Sequence, residues 1–255
     1  VDLDPEEIGR NRDVHVGITG DTGLVMEGLC DAIDQRGGLQ ELGDWWSHVR
    51  EIEDEKWAPM RQQMTSDDEP INPLRLCAEV NEFIDDETVV IGDGGDFVAT
   101  AAYTLDVHGL GNWMDPGPLG TLGVGPGYAM AAKLTRPDAQ VVIMYGDGSF
   151  GFNGMEFDSF VRQDINVVGI IGNDACWRQI KRGQVDMFGE ERAVATDLAM
   201  TRYDKVVEGL GGHGEFVETL DELPGALERA FEAEVASLVN VEIGTSDFRE
   251  GAISV

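Results

Sequence analysis

Apolar positions along the chain fall into short, nearly unbroken runs separated by stretches in which they recur every three or four residues. The runs TVVIG (88–92), VVIMY (141–145), INVVGII (165–171), EFVET (215–219) and SLVNVEIG (237–244) have the length of strands. Between them PLRLCAEVNEFI (73–84), DFVATAAYTL (96–105), GYAMAAKL (127–134), the segment Met155–Arg162, RYDKVVEGLG (202–211) and DELPGALERAFEA (221–233) carry helical spacing. Regular alternation of this kind predicts an α/β fold, an open parallel sheet with helices on both faces. Upstream the pattern is less regular. VHVGIT (14–19) reads as a strand and LVMEGLCDAI (24–33) as an amphipathic helix. From Asp44 to Gln63, Trp46, Val49, Ile52 and Trp57 recur at roughly helical spacing, with an interruption expected at Pro59. The polar TSDDEP (65–70) is the best linker candidate.

Two of the apolar strands end on polar side chains. VVIMY runs into Gly146-Asp147-Gly148-Ser149, and INVVGII into Gly172-Asn173-Asp174. A strand–helix–strand unit brings parallel strands into one sheet. Asp147 and Asn173 would then meet at the carboxyl edge, where open α/β sheets bind ligands. A carboxylate and an amide oxygen are hard ligands of the kind magnesium takes, leaving positions for water and substrate phosphates. Gly148 and Ser149 could offer backbone N–H groups to a diphosphate. A lone Gly-Asp-Gly is a common turn; its pairing with Gly-Asn-Asp across an apolar strand is the more specific pattern.

Composition narrows the choices. Formal net charge is −31, from 49 acidic and 18 basic residues, which repels phosphate backbones and anionic membranes. Neither nucleic acid nor membrane is therefore an expected partner, and no apolar run reaches spanning length. A lysine-poor acidic surface suits high salt, where self-repulsion is screened; an ordinary acidic cytoplasmic protein is the alternative. The three cysteines, Cys30, Cys77 and Cys176, are far apart and form neither a disulfide framework nor a zinc motif, which fits a reducing cytoplasmic home. Val1 is not an ordinary start, so sequence upstream, or on another chain, is expected.

The Gly-Asp-Gly-Ser and Gly-Asn-Asp pattern resembles the signature of the thiamine diphosphate-dependent enzymes. Gly172 stands where that family has the first of two asparagines. The resemblance implies thiamine diphosphate and Mg2+ as cofactors, with Asp147, Asn173 and the Ala175 carbonyl as metal ligands. The segment DPGPLGTLGVGPGYAMAAKL (115–134) is similar to the family loop beneath the aminopyrimidine, which places Leu122 between the cofactor rings and the Gly120 carbonyl at the amino group. GDGGDF (92–97) resembles the diphosphate-side turn, placing Gly94, Gly95 and Asp96 near the phosphates with Gly146, Gly148 and Ser149. Asp96 stands where relatives carry a neutral polar residue or histidine, and its charge repels a phosphate. Cys176 and Trp177 would line the pocket, Cys176 as a packed thiol rather than a nucleophile.

GNDACW and the C-terminal FREGAISV look most like 2-hydroxyacyl-CoA lyases, with acetolactate synthase-like and oxalyl-CoA decarboxylase-like proteins as alternatives. The implied reaction cleaves a 2-hydroxyacyl-CoA to formyl-CoA and an aldehyde or ketone, or joins them. The resemblance divides the chain into a central-domain remnant (1–36), a helical connector (37–73), a diphosphate-binding domain (74–245) and a tail (246–255). That tail would close over the site and bring Arg249, with Trp177, to an acyl-CoA substrate. The glutamate that activates the cofactor belongs to a pyrimidine-binding domain and matches no residue here. It would come from another chain or region, in a homo- or hetero-oligomer. A non-catalytic cofactor-binding subunit is the reading from outside the enzymes. GTLGVGPG (120–127) also imitates a dinucleotide fingerprint, but the proline-bearing NWMDPGPL before it does not read as the strand that fingerprint requires. Glu156 is read as complementing a helix dipole, and the four histidines as structural or surface residues.

Overall fold

The computed structural model describes residues 1–39, 42–246 and 248. Two compact units divide between Glu55 and Lys56.

The first unit holds α1, Thr22–Gln35, capped by Asp21, whose side chain accepts the Leu24 N–H. The strand expected over 14–19 is absent. Only a single parallel bridge, Asp2 to Thr19, forms there, because among the described residues no strand lies alongside to complete a ladder. The division between units falls within α2, Gly43–Met64. This helix runs through Pro59, where an interruption was expected. Pro59 forfeits only the hydrogen bond to the Glu55 carbonyl, and Glu55 is exposed to water that can replace it.

The second unit begins its core with α3, Pro73–Asn81, whose N-cap Asn72 accepts the Leu74 N–H at 2.9 Å. Then follow β1 (Val89–Gly94), α4 (Asp96–Thr104), β2 (Trp113–Met114), α5 (Gly125–Thr135), β3 (Val141–Gly146), α6 (Asp147–Asn153) and α7 (Phe157–Arg162). The chain continues through β4 (Val168–Asn173), α8 (Arg178–Phe188), α9 (Tyr203–Gly209), β5 (His213–Val217), α10 (Leu223–Glu232) and β6 (Ser237–Glu242). All strand pairs are parallel, in the order β2-β1-β3-β4-β6-β5. The expected open parallel α/β sheet is what forms. Two residues of NWMDPGPL do pair, as the edge strand β2. Pro116 and Pro118 lie beyond it, in the turn that follows.

Strand residues alternate between two cores. Val142, Met144, Val168, Ile170, Val239 and Val241 pack toward α3, α4 and α10. Val141, Ile143, Tyr145, Ile171 and Leu238 pack toward α5, α7 and α9. Burial on both faces is why these strands read as apolar runs. After β1 the chain leaves to one side for β2, then returns to lay β3 on the other. The switch point between β1 and β3 is where a cleft opens in such sheets.

Beside β5, α9 carries Asp204, almost wholly buried, which takes both Arg202 Nε (2.9 Å) and Nη2 (2.7 Å). Burial alone pulls this carboxyl upward, but the Arg202 guanidinium and Asn240 outweigh it and hold it below the usual range. A depressed carboxylate stabilises the fold above its unfolded pKa and loses that contribution as pH falls through the folded value. Arg202→Ala should therefore cost about 1–2 kcal/mol at pH 7, with the gap to wild type closing below roughly pH 4 in urea titrations. A gap independent of pH would count against the pair.

Candidate functional site

A cleft of about 780 Å³ opens at the carboxyl ends of β1 and β3. Its floor is glycine for a steric reason. Gly94 and Gly95 have φ of +151° and +106°, and a Cβ on Gly146 would lie 3.2 Å from the Gly94 carbonyl oxygen. The strand ends can meet this closely only without side chains. Gly148 is likewise closed, since a Cβ there would come within 2.5 Å of the Trp177 ring.

Asp147 opens α6 and is 2% exposed. Its Oδ1 accepts the Gly148 N–H at 2.8 Å and its Oδ2 the Cys176 N–H at 3.1 Å. The Gly148 amide, expected to face a diphosphate, is thus turned onto Asp147. Among the described residues no salt bridge reaches Asp147, and burial, followed by the charge of Asp174, pushes its pKa up to about 6. A buried, cation-free carboxylate is a group that a metal ion would relieve.

The β3–β4 register sets Gly146 opposite Gly172, so Asp147 and Asn173 leave the same edge of the sheet. Asn173 is fully buried. Its Nδ2 donates to Asn240 Oδ1 (3.0 Å) and the Thr201 carbonyl (3.3 Å), while its Oδ1 accepts the Ala175 N–H (3.2 Å). Ala175 sits at φ +51°, and its carbonyl accepts the Leu198 N–H at 2.7 Å, leaving a second lone pair. Neither Asn173 nor Ala175 lines the cleft itself. Among the described residues no three His, Cys, Asp or Glu side chains converge as a metal site. An ion here would combine one carboxylate with amide and carbonyl oxygens, the hard set that suits Mg2+ and fits these residues.

Asn240 was not singled out in the sequence, although an asparagine inside the apolar run of β6 was the available signal. It orients Asn173 and in turn donates to the Thr201 carbonyl at 2.9 Å. Asn240→Leu should lower Mg2+-dependent cofactor affinity about tenfold, the usual cost of losing a group that orients a ligand. Calorimetric titration checks this, and unchanged affinity would rule the role out.

The repulsion expected from Asp96 is answered by a distant helix. Asp96 pairs with Arg182 of α8 at 2.7 Å, and Asp174 with Arg178 of α8 at 2.6 Å. Gly120 (φ +58°) and Leu122 line the cleft from the glycine-rich loop, and Ser149, whose Oγ donates to the Gly146 carbonyl at 3.0 Å, lines it from α6. Trp177 lies over Gly148, edge-on to Phe152 at 5.9 Å between ring centroids. Cys176 also lines the cleft, and burial raises its thiol pKa, which fits an inert packed thiol. Arg249 lies outside the described residues.

Residues 93–241, which run from the end of β1 through the loop and both Gly-Asp/Asn turns to most of β6, match the family model of the thiamine pyrophosphate enzyme C-terminal TPP binding domain. The chain belongs to the thiamine pyrophosphate enzymes. Its cofactor is accordingly thiamine diphosphate. Among known proteins it is 45% identical over 225 residues to 2-hydroxyacyl-CoA lyase 2 of Caenorhabditis elegans, covering 83% of this chain and 34% of that protein. The human 2-hydroxyacyl-CoA lyase 2 is 37% identical over 266 residues, covering 100% and 41%. The acetolactate synthase large subunit IlvG of Mycobacterium tuberculosis is 40% identical over 232 residues, covering 90% and 41%. The chain thus spans about two-fifths or less of the length of these relatives.

Proposed function

We propose that this chain is the diphosphate-binding portion of a thiamine diphosphate-dependent carbon–carbon lyase that cleaves or forms a 2-hydroxyacyl-CoA, with formyl-CoA and an aldehyde or ketone as the other side of the reaction. The observation that carries the reading is the buried, cation-free Asp147 beside an oriented Asn173 at the switch point of the sheet. Asp147, Asn173 and the Ala175 carbonyl would hold Mg2+, and the turns at Gly94–Asp96 and Gly146–Ser149 would receive the diphosphate. Bound there, the cofactor would supply carbanion and electron-sink chemistry. This chain's residues bind and orient. The Asp96–Arg182 pair cancels a charge that would oppose the phosphates, and Leu122 would lie between the cofactor rings and set the cofactor's shape.

On this reading 1–36 would belong to a central domain, 37–73 to a connector, 74–245 to the diphosphate domain and 246–255 to a closing tail. Arg249 and Trp177 would meet the acyl-CoA. The activating glutamate would come from a pyrimidine-binding region or chain outside these 255 residues, in an oligomer of cytoplasmic location. The 40% identity to an acetolactate synthase supports a second reading, with pyruvate as the substrate.

The test joins this chain to a pyrimidine-binding partner region and offers 2-hydroxyacyl-CoA, oxalyl-CoA and pyruvate separately. Release of formyl-CoA and an aldehyde from the first alone supports the lyase. Turnover of pyruvate alone would replace it with the synthase. Cofactor binding without turnover of any would leave a binding subunit.

A further inference from the structure

The loop that carries Leu122 has no helix or strand of its own between Gly120 and Val124, yet it is pressed onto the end of β1. A Cβ on Gly94 would lie 2.0 Å from Leu122 Cδ2. One buried side chain ties the loop there. Asp93, fully buried, accepts the Gly123 N–H on Oδ1 at 2.7 Å and the Gly125 N–H on Oδ2 at 2.6 Å. These two amides flank Leu122 on its C-terminal side. Asn153 of α6 donates to the Gly123 carbonyl and holds the same loop from the other side.

The backbone is built to aim this carboxylate. β1 and β3 pair in step up to Gly92 with Met144, then resume at Gly94 with Tyr145, which leaves Asp93 as the extra residue of a bulge. A bulge rotates one side chain out of the regular pleat, and such irregularities gather beside ligand sites. A carboxylate can take two N–H groups from one loop at once; an asparagine in its place sets an NH2 against one of them. Among the described residues no salt bridge offsets Asp93, so its charge is held by these hydrogen bonds.

We propose that Asp93 is a positioning residue for the cofactor: through Gly123 and Gly125 it sets where Leu122 projects into the cleft, and so governs the fit of the thiamine portion rather than the diphosphate. This rests on the reading of the cleft as the thiamine diphosphate site. Asp93→Asn and Asp93→Ser test it in this chain joined to its pyrimidine-binding partner region; the serine variant keeps one acceptor and buries no charge, so a folding failure in one leaves the other. Calorimetry with Mg2+ then compares thiamine diphosphate with inorganic diphosphate. Thiamine diphosphate affinity should fall roughly tenfold, the worth of a hydrogen bond to a charged group. Inorganic diphosphate affinity should stay within about twofold, and Leu122→Ala added to either variant should cause little further loss. Amide exchange should accelerate at Gly123 and Gly125. Equal weakening of both ligands, or full additivity with Leu122→Ala, would overturn the positioning role alone. A wild-type chain that binds neither ligand would sink the cofactor reading and the positioning role with it.

Discussion

Replacing Asp147 with alanine is expected to abolish Mg2+-dependent binding of thiamine diphosphate, with affinity falling ~100-fold or more. Groups that merely orient a metal ligand cost 10–100-fold when lost, and the sole carboxylate among the proposed oxygens should cost at least the upper end of that range. The fold should survive. Alanine removes a charge that burial penalises, which favours the variant, but it strands the N–H groups of Gly148 and Cys176 at about 1 kcal/mol each. These terms oppose one another, so the melting temperature without cofactor should move little while the stabilisation by Mg2+ and cofactor disappears. Thermal unfolding with and without both ligands measures the two together. An Asp147→Ala chain that still gains stability from the pair would remove Asp147 from the metal site.

The second large effect falls on Gly172, the position at which this chain departs from the paired asparagines of its family. A Cβ there would lie 2.5 Å from the Phe97 ring and 2.8 Å from Ile243 Cδ1. Phe97 is 5% exposed and packed in the core under β4 at the edge of the cleft, so a side chain at 172 has to displace it. Restoring the family residue with Gly172→Asn should cost about 3 kcal/mol, from overpacking plus a buried amide without a partner. Gly172→Ala should cost less, on the order of 1–2 kcal/mol from overpacking alone. Adding Phe97→Leu should recover part of either loss, because the two residues compete for one space. Denaturant unfolding of these four variants and of Phe97→Leu alone measures it. Independent, additive losses would mean that Phe97 is not what excludes a side chain at 172.

The same contact explains why the departure is compatible with a metal site. Gly172 lies under the sheet edge against Phe97, while Asn173, one residue on, is held by Asn240 and Thr201. Successive residues of a strand point to opposite faces, so the first position of the pair can change without disturbing the second. The sequence showed the departure; the packing shows its partner.

Much of the fold was legible because its strands are buried on both faces and are written locally as apolar runs. The Gly-Asp and Gly-Asn turns were legible for a related reason, since polar residues at the abrupt end of such a run stand out. What failed depended on neighbours. VHVGIT has strand composition but, among the described residues, no adjacent strand to pair with. α8 was missed because it buries none of its residues and is tied by ion pairs to Asp96 and Asp174 instead. The continuation of α2 through Pro59 turned on exposure of one carbonyl, which no local pattern encodes.

By itself the sequence determined the alternation of elements, the parallel sheet and the two turns that carry Asp147 and Asn173, all properties of short segments. The tertiary structure alone decided which distant groups complete them. Asn240 reaches Asn173 across the β4–β6 ladder, Arg182 neutralises Asp96 from another helix, and a bulge turns Asp93 onto the loop that bears Leu122. Hydrogen bonds and ion pairs act over about 3 Å, so their partners exist only once the sheet has brought separate segments together.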